Sequence, residues 1–311
     1  MSNFERIQEL LREKAEVESR LKLLPYQGTP ELKTNSNGKY IYVRKRDFGK
    51  LTSTYVDKYS EELYGIVVNS TQSAKGLSKR LRQIDRELAS LDYAMSELSP
   101  RVMLNLDFAR ANMKSNIYDQ AILEGVATTY PQTETIIENG IVSGMTASDV
   151  QKILNLKHAW EFILNKEVLA VKSDFYVLSY IAKLVNEGFY ETGGRIRAVP
   201  VKIGGSSYIP PLPIETVIKE DLDEILSSSE GAIDIAIELC LYCMKKQIFI
   251  DGNKRAAVIF ANHFLIASGG GLLVIPSDNV PEFKSLLVKY YEETDTATIK
   301  QFLKEKCWRN F

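Results

Sequence analysis

Histidine is nearly missing from this chain: two residues in 311, beside three cysteines and two tryptophans. So little histidine and cysteine leaves almost nothing from which to build a Cys/His zinc site. Cys240 and Cys243 fall inside an apolar helical pattern with no second Cys or His pair to complete a metal set. With Cys307 they read as reduced core thiols. Any histidine-based catalysis must use His158 or His263. No apolar run is long enough to span a bilayer, and the charged, amphipathic N-terminus does not read as a signal peptide. A cytoplasmic protein without a membrane partner is expected. A large net charge is absent too: 39 Lys and Arg stand against 40 Asp and Glu, a formal −1. The molecule as a whole is no electrostatic trap for nucleic acid, and with no basic recognition helix in evidence a nucleic-acid partner is not expected.

What is present is mostly helical periodicity. Residues 4–24 place Phe4, Ile7, Leu10, Leu11, Val17, Leu21 and Leu24 at helical spacing, and Pro25 and Gly28 end the run. The period then changes. KYIYVRKRDFGKLTSTYV is rich in Tyr, Val and Thr and is cut at Asn37-Gly38 and Phe48-Gly49. It predicts a small antiparallel meander near 31–34, 39–46 and 50–56. Its basic strand, Arg44-Lys45-Arg46, could touch acidic partners, although a solvated strand face is the plainer reading. From 60 to 98 the helical period returns, with Leu77, Leu81, Ile84, Leu88, Leu91 and Met95 on one stripe. Residues 1–100 are thus expected to form a helix, meander and helix module whose amphipathic pair could dimerise.

After Pro100 the pattern is helix upon helix: 102–122, 132–138, 147–164, 173–186, 213–227, 231–246, an exit helix to about 268, 280–292 and 296–306. One break intervenes, GFYETGGRIRAVPVKIGGSSYIPPLP at 188–213. Its β-prone runs at 199–203 and 207–209 flank Gly204-Gly205, which reads as a hairpin tip. The fold class is mainly α, a helical core with a small β-hairpin flap over 101–311 and its centre at about 115–270.

Chemistry concentrates in KKQIFIDGNKRAAVIFANHFL, where a polar turn, Asp251-Gly252-Asn253-Lys254-Arg255, joins two apolar helices. Free N–H groups at a helix start favour anions. Gly252 admits a ligand close to the backbone. Asn253 can fix the turn through its side chain. Lys254 and Arg255 offer donors to phosphate oxygens. A carboxylate beside such a cradle, Asp251, makes sense where a cation joins the two, and Mg²⁺ is the usual one. The turn alone suggests a Mg²⁺-bridged polyphosphate, although capped surface turns share its composition.

QIFIDGNKRAA resembles the active-site motif of the Fic/Doc family, HxFx(D/E)GN(G/K)R. DQAILEGVATT (Asp119 to Thr129), VQKILNLKHAWEFI and GGRIRAVPVKIGG…YIPP resemble further segments of that family in the same order, covering about residues 101–270. The resemblance implies ATP and Mg²⁺ as cofactors and transfer of AMP to a protein hydroxyl. It implies Phe249 as buried loop anchor and Asp251 as metal ligand. Gly252, Asn253 and Lys254 would line the phosphate loop, and Arg255 would contact phosphate. Val201, Lys202, Ile203, Gly204 and Gly205 would form the flap that registers a target protein, and Gln120 and Glu124 would belong to the inhibitory helix.

Three positions depart from the family's pattern. Gln247 stands where the catalytic His is expected, and a neutral amide cannot take a proton from a hydroxyl. His263 lies at least ~12 Å along the exit helix from Arg255 at 1.5 Å per residue, and His158 on another helix. Val258 stands where many members carry a second Arg, and Gln120 where the inhibitory motif has Ser or Thr. Whether the chain is an enzyme therefore stays open. It is read as a nucleotide-binding relative of protein adenylyltransferases with impaired transfer. The alternatives are a non-catalytic binding module and, because Lys254 occurs in the Doc branch, a protein kinase.

Overall fold

The computed structural model describes residues 3–36, 38–47, 50–91 and 98–310. The chain divides into two compact units, residues 1–95 and 96–311. The first begins with α1 (Asn3–Leu23) and continues through β1 (Thr29–Asn35), β2 (Gly38–Asp47), β3 (Lys50–Lys58) and α2 (Glu61–Ser90). The strands form one antiparallel sheet in chain order. Alternation sends Ile41 and Val43 to the covered face, where they meet Val67 of α2 and the flanking Leu32, Val56, Leu63 and Tyr64. Helices α1 and α2 bury Leu10, Leu11 and Ala15 on one side and Ala74, Ile84 and Leu88 on the other. Their charges are paired across the seam, Arg6 with Glu87 at 2.6 Å, Lys14 with Asp85 at 3.0 Å and Arg80 with Glu13 at 2.5 Å. Ser60 caps α2 by accepting from the Leu63 amide. The side chains of Phe4, Ile7 and Arg46, the turn residues Asn37, Phe48 and Gly49, and Met95 lie outside the described residues.

The second unit contains α3 (Pro100–Ala111), α4 (Met113–Leu123), α5 (Tyr130–Ile137), α6 (Ala147–Ile163), α7 (Lys166–Leu169) and α8 (Phe175–Val185). After the 188–213 break come α9 (Glu215–Leu226), α10 (Ala232–Lys246), α11 (Asn253–Ala267), β4 (Leu272–Leu273), α12 (Val280–Tyr291), α13 (Ala297–Phe302) and β5 (Trp308–Arg309). The mainly α expectation is met. The core is α11, which is buried around its whole circumference from Arg255 to His263 and packs against α8, α10, α3 and α6.

Three local expectations change. The single helix over 102–122 is two, because Asn112 leaves helical geometry (φ −100°, ψ 2°) and its side-chain amide donates to the Phe108 carbonyl. The helix over 296–306 stops at Phe302, widens into a π turn, and delivers β5 to pair with β4. There Arg309 meets Asp119 at 3.0 Å, tying the chain end to α4. The hairpin over 199–209 is not formed. Gly204-Gly205 do make a turn, but neither flank is a strand, and the nearest β contact is an isolated bridge between Ile196 and Phe249. Pro200, Pro210, Pro211 and Pro213 contribute no N–H to a ladder, and the neighbouring carbonyls are taken elsewhere.

Candidate functional site

The loop between α10 and α11 is built by two side-chain amides. Gln247 caps α10 in a left-handed conformation (φ 47°, ψ 57°). Its Nε2 donates to the Met244 carbonyl at 2.6 Å, and its Oε1 accepts from Asn253 Nδ2 at 3.2 Å. Asn253, 6% exposed, also donates to the Phe249 carbonyl at 2.8 Å and accepts from the Phe249 amide at 2.9 Å. Phe249 is buried, which holds the middle of the loop in the core. Gly252 is the N-cap of α11 at φ +73°, and a Cβ there would meet the Asn186 carboxamide at 2.9 Å and Val185 at 3.0 Å. Asn186 in turn donates to the Asp251 carbonyl. Asn253, Lys254 and Arg255 occupy the first turn of α11, where N–H groups have no intrahelical acceptor.

The charged residues of the turn engage one another. Arg255 is 2% exposed. It donates to the Val185 carbonyl at 2.7 Å and to Asp251 Oδ2 at 3.0 Å, and its Nε lies 3.6 Å from Glu124 Oε2. Glu124 Oε1 lies 3.5 Å from Lys254 Nζ. These last two contacts are ion pairs longer than hydrogen bonds. Glu124 therefore does have cationic partners, although position 258 holds Val. Arg255 lies inside the helix packing and braces Asp251. Asp251 keeps one carboxylate oxygen clear of Arg255, with its side chain half exposed.

Gln120 is 3% exposed and fully used, donating to the Arg255 carbonyl at 2.8 Å and accepting from Trp160 Nε1 at 3.0 Å. It pins α4 to α11 and α6. Asp119 accepts from the Ser277 amide and pairs with Arg309, so it is committed to the chain end. Neither histidine joins the loop. His158 Nδ1 lies 3.5 Å from Glu187 Oε2. His263 is fully buried, between Ser173 and the Val168 carbonyl, each at 2.8 Å, and burial lowers its pKa to about 4. It is a neutral core residue.

Arg197, unnoticed as a determinant in the sequence, organises the stretch beside the loop. Its guanidinium donates to the carbonyls of Gln247, Val199, Pro210 and Pro211, and its amide to Ile248. Burial holds its pKa below the ordinary guanidinium value. These bonds draw 199 and 211 together without a strand pair. Beyond them Val201 and Ile203 are half-buried and Lys202, Gly204 and Gly205 exposed. Glu292, at the end of α12, accepts from the Ser207 amide and from both Ser206 and Ser207 hydroxyls. An Arg before an X-Pro-rich segment was the available signal for Arg197; Glu292 had none.

Residues 175–265, from α8 through α11, match the Fic/DOC family model, and this span contains the whole loop and the Arg197 anchorage. This span is a Fic/Doc domain. Residues 4–65 match a second model, Domain of unknown function (DUF6788). Among curated proteins, this chain is 24% identical over 207 residues to "Protein adenylyltransferase fic-1" of Caenorhabditis elegans, covering 60% of this chain and 40% of that protein. It thus spans about two fifths of the relative's length. Among solved structures, a Fic family protein from Desulfovibrio desulfuricans superposes with a TM-score of 0.53 at 15% identity, over 68% of this chain and 73% of that one. Residues 134–508 of C. elegans Fic-1 superpose with a TM-score of 0.50 at 16% identity, over 78% and 79%. These likenesses establish a Fic fold.

A nucleotide with its metal fits the residues present. Glu124 Oε1, Arg255 Nε and Asn186 Oδ1 are buried at this site without hydrogen-bond partners. Among the described residues no cluster of three or more His, Cys, Asp or Glu could cage a metal alone. Mg²⁺ carried by phosphates would need only one protein carboxylate, and Asp251 is the carboxylate at the turn. No helix among the described residues is long and apolar enough to cross a membrane.

Proposed function

We propose that this chain is a Fic-family nucleotide-binding protein, related to protein adenylyltransferases, in which AMP transfer from ATP to a protein hydroxyl is impaired. The observation that carries the reading is Gln247. Its amide stands where the family's base is expected, donates at one end and accepts at the other, and has no proton-accepting form at physiological pH. General-base assistance typically contributes 10²- to 10⁴-fold, so loss on that scale is the expected deficit. The first-turn amides of α11 and Lys254 would hold phosphate, and Asp251 would hold Mg²⁺. When bound, the metal would neutralise developing phosphate charge. The turn at 201–205 would receive a protein target. Arg255 would act one step back, fixing the orientation of Asp251.

The test compares the parent chain with Gln247→His, each incubated with Mg²⁺ and ATP labelled at the α- or γ-phosphate, alone and with protein lysate. The expected result is little or no label from the parent and α-label on protein from the variant, lost again when Asp251→Ala is added. Equal labelling by parent and variant would overturn the impaired-transfer reading. Transfer of γ-label would point to a kinase. ATP binding measured by calorimetry without transfer in either protein would favour a binding module.

A further inference from the structure

We propose that the outward face of α2 binds the phosphate backbone of a nucleic acid. Lys75, Lys79, Arg82 and Arg86 recur at intervals of four, three and four residues, which places them on one face of the helix. All four are exposed, as are Gln72, Gly76 and Gln83 between them. These seven residues line one open cradle of about 610 Å³. Among the described residues none of the four cations meets a carboxylate, and Arg82 spends only its Nε, on the Ser78 carbonyl.

Other cations of the same unit are treated differently. Arg6, Lys14 and Arg80 lie along the α1–α2 seam and each is paired there with Glu87, Asp85 or Glu13. Glu13, Asp85 and Glu87 are thus engaged at the seam, and the stripe over 72–86 carries no acid among its lining residues. The near-zero net charge of the whole chain conceals this sorting.

The chemistry of the stripe selects the ligand class. Steps of four, three and four residues separate the charges by about 6, 4.5 and 6 Å along the axis, a run of about 16 Å. At about 3.4 Å of rise per phosphate on one strand, that length passes some five phosphates. Glutamine amides add neutral donors, and Gly76 leaves the middle of the cradle open to close approach. A protein partner would be expected to find an apolar or aromatic anchor at the centre, and the cradle contains none. A membrane surface would require an exposed apolar face beside the charges, whereas Val67, Ile84 and Leu88 on the far side of α2 are buried. A polar, positive, anchor-free surface is the character of a nucleic-acid interface.

Fluorescence anisotropy of the full chain with labelled random-sequence duplex and single-stranded oligonucleotides tests this. Binding is expected at 50 mM salt, and four phosphate contacts would weaken it roughly 150-fold at 200 mM. Lys79→Glu with Arg82→Glu should abolish it, Arg82→Gln should lower the log–log salt slope by about one, and Lys58→Glu, outside the stripe, should change little. Circular dichroism checks that each variant stays folded. No binding at 50 mM salt, or binding indifferent to the double reversal, would overturn the proposal. So would tighter binding to polyglutamate or to anionic vesicles than to nucleic acid.

Discussion

Glu124 and Arg255 face each other from α4 and α11, carboxylate oxygen to Nε at 3.6 Å, with Lys254 on the other carboxylate oxygen at 3.5 Å. One anion therefore holds two of the turn's cations against the helix that carries it. Glu124→Gln removes the charge and keeps the shape. Arg255 retains Asp251 and the Val185 carbonyl, so the fold should survive with a stability change near 1 kcal/mol. A unit charge withdrawn from the anion site should tighten ATP binding by at least about tenfold, the Coulomb term for a separation of about 12 Å at an effective dielectric near 20. Calorimetry of parent and variant measures it, and unchanged affinity would mean that Glu124 does not oppose the phosphates.

Arg197 makes the second prediction. Four carbonyls converge on one buried guanidinium, and Arg197→Met would leave them without that donor. The loss should be about 2–4 kcal/mol, read as a lower urea midpoint. Limited proteolysis should also begin to cut between 199 and 209. Arg197→Lys should recover only part, because one ammonium has three donors and no fork.

How much of this was legible in the sequence depended on how local each determinant is. The α10–α11 turn was readable because Asn253 makes its side-chain bonds within six residues, to Phe249 and Gln247. The meander was readable from its alternation, and its strands differ from expectation mainly at their ends. The flap was misread because β-prone residues beside a Gly-Gly pair imply a hairpin, whereas the deciding group is an arginine that collects carbonyls thirteen, fourteen and fifty residues away. Burial of Arg255 was equally hidden. Its sequence neighbours suggest a surface turn, and only the packing of α4 and α8 around α11 encloses it. Gln120 read as a departure from a pattern, yet it is a satisfied bridge between Trp160 and the Arg255 carbonyl.

Gly252→Ala supplies the third prediction. The methyl would strike the Asn186 carboxamide and Val185, and the backbone would be held at φ +73°, which L-residues resist. A cost of about 1–3 kcal/mol is expected, with loss of ATP binding because Asn186 also holds the Asp251 carbonyl. A variant of undiminished melting temperature and unaltered nucleotide affinity would show that the turn can relax.

The fourth concerns acid. His263 titrates near 4 in the folded chain because it is buried, against about 6.5 when unfolded. As pH falls through 6.5 the unfolded chain takes up the proton first. Stability is therefore full above about 6.5 and declines toward 4, by about 2 kcal/mol at pH 5 from this residue. Urea unfolding at pH 8 and pH 5 should show that difference, and His263→Asn should show a drop smaller by the same amount.

The stretch beside the loop hangs between two fixed points. Arg197 gathers 199, 210 and 211 at its base, and Glu292 grips 206 and 207 from the far end of α12. Between the moorings run only residues 200–205 on one side and 208–209 on the other, spans too short to bow freely. How far that tip stands from the surface is thus set by span length, much as a tent rope fixes the height of a canopy. Inserting two or three residues there would raise the tip without loosening its base, whereas cutting either tether would let the whole canopy swing.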